Sequence, residues 1–280
     1  MKRILVPVDF SPTSEKALRF AVDIASKANG AVILYHGYIP VGGTFIGTEE
    51  TRKKYNMQTE AKLAEQLQRF KKSVTGNDLN LAVSTMIGHS PIIDNILGFA
   101  THSQIDLIVM GTQGASGLKK VIIGSVAASI IEQSYIPVLL VPEKFEWKEP
   151  EHFVFATNYQ RADEKALNLT VALAKIYSAS VTVMHLLDPY LQFSDKQQAD
   201  FSEYAFVLQR TFSDCNLKFK ELKTTEVVDT MEKLDDEIGH DVLVMVRRKK
   251  DFLERFFAQS LIKNMACIVK KPLLVVPEGK

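Results

Sequence analysis

The chain has 280 residues, 46% of them hydrophobic and 24% charged, with a formal net charge of +1. That balance fits a globular protein of one large or two ordinary domains and offers no basic field for nucleic acid or an anionic membrane. Two cysteines, Cys215 and Cys267, stand in no metal or redox spacing, and no run reaches the roughly 18 apolar residues of a membrane span.

In chain order, Ile4–Val8 is a continuous apolar run ending at Asp9, which predicts a strand buried on both faces. The run is too short for a secretory signal, and with the sparse cysteines it points to a cytoplasmic protein. Leu18, Ala21, Val22 and Ala25 mark one face of a helix, and Ala31–Tyr35 is the next strand, with His36 at its end. Gly42–Gly47 reads as a mobile connection or as a lid over a pocket, and Glu49–Lys54 as the solvated start of a long polar helix around Thr51–Ser73. A strand near Leu79–Met86 precedes a helical stripe of Ile92, Ile93, Ile96, Leu97 and Ala100. Leu107–Met110 is a further buried strand, 125–134 a helix, and Val138–Val141 a last strand closed by Pro142. Buried strands alternating with helices predict an α/β fold with a parallel sheet covered on both faces.

The second half repeats the first. Residues 106–142 align without gaps on 241–277, placing Asp106 on Asp241, Ser125 on Ser260 and Pro137 on Pro272. Ile4–Phe10 aligns on Phe153–Tyr159, Glu15–Leu18 on Glu164–Leu167, and His36 on His185. Two domains, 1–143 and 151–280, are therefore expected, joined by the charged stretch Glu143–Glu151.

Within the first copy, Gly111 and Gly114 follow a strand, and Gly124-Ser125 opens a helix. Glycines there allow φ > 0 and close approach of a ligand, while a helix start presents N–H groups to an anion. The spacing is not a Walker A loop, because Leu118 precedes Lys119, and a dinucleotide fingerprint belongs after a first strand. It does fit G-x2-G-x9-G-[ST] at every position. With Asp9, Gly88, Pro91 and the closing Ile136–Pro142 run, the chain resembles the universal stress protein (UspA) family over nearly its whole length, as two tandem domains.

That resemblance implies two open parallel five-stranded sheets of order 3-2-1-4-5 in the adenine nucleotide alpha hydrolase-like manner. It also implies an ATP-binding stress-response protein with its site where strands 1 and 4 diverge. Pro7, Val8, Asp9 and Gly37 would border adenine and ribose; Gly111, Gly114, Gly124 and Ser125 would hold phosphates; Met110 and Val126 would line the pocket. The family usually has a β-branched residue where Gly37 stands, which predicts looser adenine packing. ATP, ADP and AMP remain open as resident ligand, with or without Mg²⁺. The resemblance also implies pairing of the two domains within the chain and leaves homodimerisation open.

Single residues allow plainer readings. Asp9 could cap the helix starting near Ser14, Ser125 could be an N-cap, His89 could reach a ligand, and Lys119 and Lys120 read as a solvated face. No histidine pair has metal spacing, and no carboxylate pair or evident general base accompanies the glycines. An ATP hydrolase, a self-phosphorylating protein and a nucleotide-free scaffold stay as rivals to a nucleotide-binding regulator. In the second copy Val246, Lys249 and Gln259 replace the glycines and Asn158 replaces Asp9. One nucleotide per chain is expected, Val246 being strained at a position that needs φ > 0. Arg247–Lys250 reads as solvated surface rather than a new anion site.

Overall fold

The computed structural model describes residues 1–42, 47–76, 82–112, 123–157, 163–187, 195–223, 239–248, 266 and 270–278. The chain divides into two compact units, Met1–Glu143 and Lys144–Lys280.

In the first unit, strands β1 (Arg3–Pro7), β2 (Ala31–Tyr38), β3 (Ala82–His89), β4 (Leu107–Gly111) and β5 (Val138–Val141) pair in parallel in the order β3-β2-β1-β4-β5. The central strands earn their place by composition. Ile4, Leu5 and Val6 of β1 and Leu107, Ile108 and Val109 of β4 are wholly buried, as strands covered on both faces must be. Helix α1 (Pro12–Ala28) starts where Ser11 accepts the Ser14 N–H at 3.1 Å and Pro12 presets the first turn. It ends at Asn29 in the left-handed region. Its apolar stripe of Ala17, Leu18, Ala21, Ile24 and Ala25 lies on the sheet, while Val22 is half-buried. Helix α2 (Glu49–Thr75) packs beside α1, and α3 (Ile92–His102) packs beside α4 (Ser125–Gln133), so a helical layer lies on each face of the sheet.

Strands β2 and β3 differ from the sequence expectation, β3 running on to His89 rather than ending near Met86. Strand β2 runs on to Tyr38, because Gly37 and Tyr38 continue the ladder against Gly88 and His89 of β3. A glycine inside a run of polar and aromatic residues hides that extension. Along α2, Leu67 alone of 27 residues is fully buried, so its length comes from helix-favouring polar residues and the Thr48 cap rather than from core contact.

The second unit repeats the topology. Strands β6 (His152–Thr157), β7 (Ser180–Leu187), β8 (Leu217–Lys223), β9 (Val242–Arg247) and β10 (Leu273–Pro277) are parallel in the order β8-β7-β6-β9-β10, with helices α5 (Asp163–Tyr177) and α6 (Asp195–Thr211) described. The aligned aspartates do the same work in both copies. Asp106 accepts the N–H groups of Lys2 and Arg3, and Asp241 accepts those of Glu151 and His152. Each thus ties the loop before strand 4 to the start of strand 1. Among the described residues, no helix is long and apolar enough to cross a membrane.

Candidate functional site

Strand order 3-2-1-4-5 makes β1 and β4 neighbours whose following helices leave toward opposite faces, and this opens a crevice beyond their C-terminal ends. A cavity of about 370 Å³ lies there, within the range of small-molecule sites. Nine of the ten residues named from the sequence line it: Pro7, Val8, Asp9, Gly37, Met110, Gly111, Gly124, Ser125 and Val126. Gly114 lies outside the described residues, as do Lys119 and Lys120. Sequence reasoning missed Ser14, Tyr35, His36, Ile92, Ile96, Thr112 and Ala127, which line it too. Thr112 and Ala127 sit beside the motif and were within reach of it. Ile92 and Ile96 come from a helix whose approach only the fold reveals.

The lining combines apolar and polar groups. Val8, Tyr35, Ile92, Ile96 and Met110 supply side chains suited to a flat ring. Ser125 and the N-terminus of α4 line the same cavity. Gly124 is the N-cap of that helix, not Ser125, and no side chain caps it. The amides of Ser125, Val126 and Ala127 are therefore without intrahelical partners, at the positive end of the helix dipole. The Gly124 N–H itself donates to the Thr112 carbonyl at 2.7 Å, so it closes the loop and is not a donor to a ligand.

The reason for Gly111 also differs from the expectation. Gly111 ends β4, and the glycines with positive φ among the described residues are Gly47, Gly76 and Gly239; Gly124 has φ of −60°. What forbids a side chain at 111 is crowding: a Cβ there would stand 2.6 Å from Thr13 Cγ2 and 3.2 Å from its backbone carbon. By the same token, Val246 occupies an ordinary position in β9, paired with Val276, and carries no backbone strain.

Asp9 is exposed toward the cavity, and its Oδ1 accepts the Ser11 N–H at 3.1 Å. Ser11, not Asp9, caps α1. The next residue, Phe10, holds φ of 64°, a conformation that non-glycine residues rarely adopt. Its ring lies 4.5 Å from that of His36 and edge-on to Phe70 at 5.7 Å. His36 Nδ1 in turn donates to the Val8 carbonyl at 2.8 Å. His36 thus braces the turn that presents Asp9.

Gly37 is matched to Ile92. A Cβ at 37 would lie 2.9 Å from Ile92 Cγ2, so α3 takes up the space that a branched side chain on β2 would fill. Gly88 likewise makes room for Tyr35, whose hydroxyl would sit 1.7 Å from a Cβ there, and burial pushes the Tyr35 phenol up. His89 does not line the cavity. Its Nε2 lies 3.1 Å from Glu60 Oε1, an atom that also accepts from the Tyr38 hydroxyl at 2.5 Å. Among the described residues, no group of three histidine, cysteine or acidic side chains could hold a metal ion.

The second unit places different groups at the corresponding strand ends. Asn158, Lys249, Lys250, Gln259 and Ser260 lie outside the described residues. Arg248 corrects the reading of 247–250 as solvated surface. Its side chain is 11% exposed and its Nη2 donates to Asp163 Oδ1 at 2.6 Å.

Comparison with known proteins agrees with this architecture. The model of the Universal stress protein family matches residues 1–142 and 150–277. Universal stress protein MJ0531 of Methanocaldococcus jannaschii is 30% identical over 142 residues, covering 50% of this chain and 81% of the relative. Universal stress protein MJ0577 of the same organism is 27% identical over 157 residues, covering 51% of this chain and 96% of the relative. A crystal structure of a universal stress protein from Archaeoglobus fulgidus DSM 4304 superposes with a TM-score of 0.68 over 99% of this chain and 97% of its own. At 16% identity it speaks to the fold alone.

Proposed function

The chain belongs to the universal stress protein family, and from that premise we propose that the first-unit cavity binds an adenine nucleotide, ATP in the first place, as a regulatory ligand. One observation carries the reading: the same cavity is lined by apolar side chains, by the uncapped N-terminus of α4 and by Asp9. The slot between Met110, Val8 and Ile92 takes the adenine. Asp9 accepts hydrogen bonds from ribose hydroxyls. The amides of Ser125, Val126 and Ala127 and the Ser125 hydroxyl bind phosphate oxygens, with the helix dipole behind them. Were Mg²⁺ to accompany the nucleotide, Asp9 would be the carboxylate of the described lining available to hold it, and the ion would serve to neutralise phosphate charge. The nucleotide is held rather than turned over: Asp9 accepts an N–H from Ser11, and His36 is engaged at Nδ1 with a carbonyl.

Calorimetry with ATP tests this on Ser125→Asp. A carboxylate at the first residue of α4 favours the helix through its dipole, so folding is kept while phosphate meets a negative charge. The wild-type chain is expected to bind one ATP at micromolar affinity, about −8 kcal/mol, and the variant at least tenfold more weakly. No heat at millimolar ATP, or equal affinity in the two proteins, overturns the reading.

A further inference from the structure

The second unit keeps the geography of the first but fills it from within. The repeat places Thr157 on Val8, Asp163 on Ser14 and Arg247 on Thr112, three residues that line the first-unit cavity, and Arg248 follows directly. In the second unit Thr157, Asp163 and Arg248 close on one another. Asp163, the first residue of α5, is completely buried; its Oδ1 accepts from Arg248 Nη2 at 2.6 Å and its Oδ2 from Thr157 Oγ1 at 2.5 Å. Both carboxylate oxygens thus have donors, drawn from the ends of β6 and β9.

A buried ion pair is an expensive way to fill space, because well-packed apolar residues commonly serve as well or better. A guanidinium flanked by a hydroxyl at a helix start is the donor set that recognises carboxylates and phosphates alike. We propose that the second unit retains an anion site whose occupant is the chain's own Asp163 carboxylate, and that inorganic phosphate takes its place once that carboxylate is removed. Arg248 supplies the cation, Thr157 a hydroxyl donor, and the start of α5 the dipole. In the native chain the site is shut, since phosphate would have to displace a carboxylate that is covalently part of the protein and already holds a donor on each oxygen. Nothing here depends on the reading of the first-unit cavity.

The test uses the full chain carrying Ser125→Asp, so that phosphate bound in the first unit does not contribute. Into it are placed Asp163→Ser, which restores the first-unit residue type, and the pair Asp163→Ser with Arg248→Gln. Inorganic phosphate binding is followed by calorimetry and by thermal unfolding against chloride at matched ionic strength. Asp163→Ser is expected to bind phosphate at least tenfold more tightly than either its parent or the double variant, and phosphate should raise its unfolding midpoint selectively. Equal phosphate response in Asp163→Ser and the double variant overturns the proposal. So does an Asp163→Ser chain that stays unfolded at high phosphate, because the proposal requires phosphate to replace the lost carboxylate.

Discussion

Phe10 shows how one strained residue serves a site. A phenylalanine at φ of 64° gives up on the order of 1–3 kcal/mol of backbone energy, and its contacts with His36 and Phe70 offset that cost while the turn aims Asp9. Phe10→Gly relieves the strain and Phe10→Ala does not, though both lose the ring. Urea denaturation is therefore expected to find Phe10→Ala less stable than Phe10→Gly by about 1 kcal/mol, the reverse of the usual order for these residues. Tyr38, Glu60 and His89 make a second local argument, through pH. Burial, then the hydrogen bond and charge of Glu60, push the Tyr38 phenol up to about 12. Hydrogen bonds from Tyr38 and then His89 hold the Glu60 carboxyl below its ordinary 4.5. The phenol's contribution to stability is complete below its ordinary 10.0 and is lost as pH rises through about 12. The carboxylate's contribution is complete above 4.5 and is lost as pH falls through its lowered value. In unfolding curves measured against pH, Tyr38→Phe should flatten both limbs and Glu60→Gln the acid limb as well.

At the scale of elements, the meeting of β2 with α3 rests on complementary sizes. Gly37→Val drives a branched side chain into Ile92 and is expected to destabilise the first unit by about 1–3 kcal/mol. Adding Ile92→Ala opens the space again, so the double variant should be more stable than the sum of the single effects predicts, with a coupling of about 0.5–3 kcal/mol in denaturant titrations. Additive effects would mean that the two side chains do not share that volume. The same pair marks the limit of what sequence conveys. Strands β1, β4 and β5 stand out as unbroken apolar runs, and α1 and α3 as stripes, because each pattern lies within a few residues of itself. That α3 brings Ile92 over Gly37, or that Gly88 yields space to Tyr35, depends on contacts between segments about 55 residues apart in the chain, and no local period encodes them. The glycine spacing was legible, but the cause at Gly111 was not. It is the closeness of Thr13 on α1, not a left-handed turn, that excludes a side chain.

Over the whole molecule, the repeat was plain from aligned residues, and the divergence of its second site was plain from the lost glycines. The pairing of Arg248 with Asp163 was hidden. Arg248 stood in a basic run of the kind that is usually solvated, and its partner Asp163 lies 85 residues away. Among the described residues, the first unit presents a cavity at its strand ends and the second a buried ion pair. Saturating ATP is expected to slow amide exchange in β1, β4 and α4 while leaving β6 and β9 unchanged, and ligand at 100 times Kd should add about 2.7 kcal/mol to the first unit alone. Protection spreading equally through β6 and β9 would contradict this division. If ATP occupies the first unit alone, as proposed, the buried pair of Arg248 with Asp163 leaves its binding curve a plain hyperbola with no threshold. Such a chain would register the ambient level of its effector as a gauge does, rather than flipping as a relay.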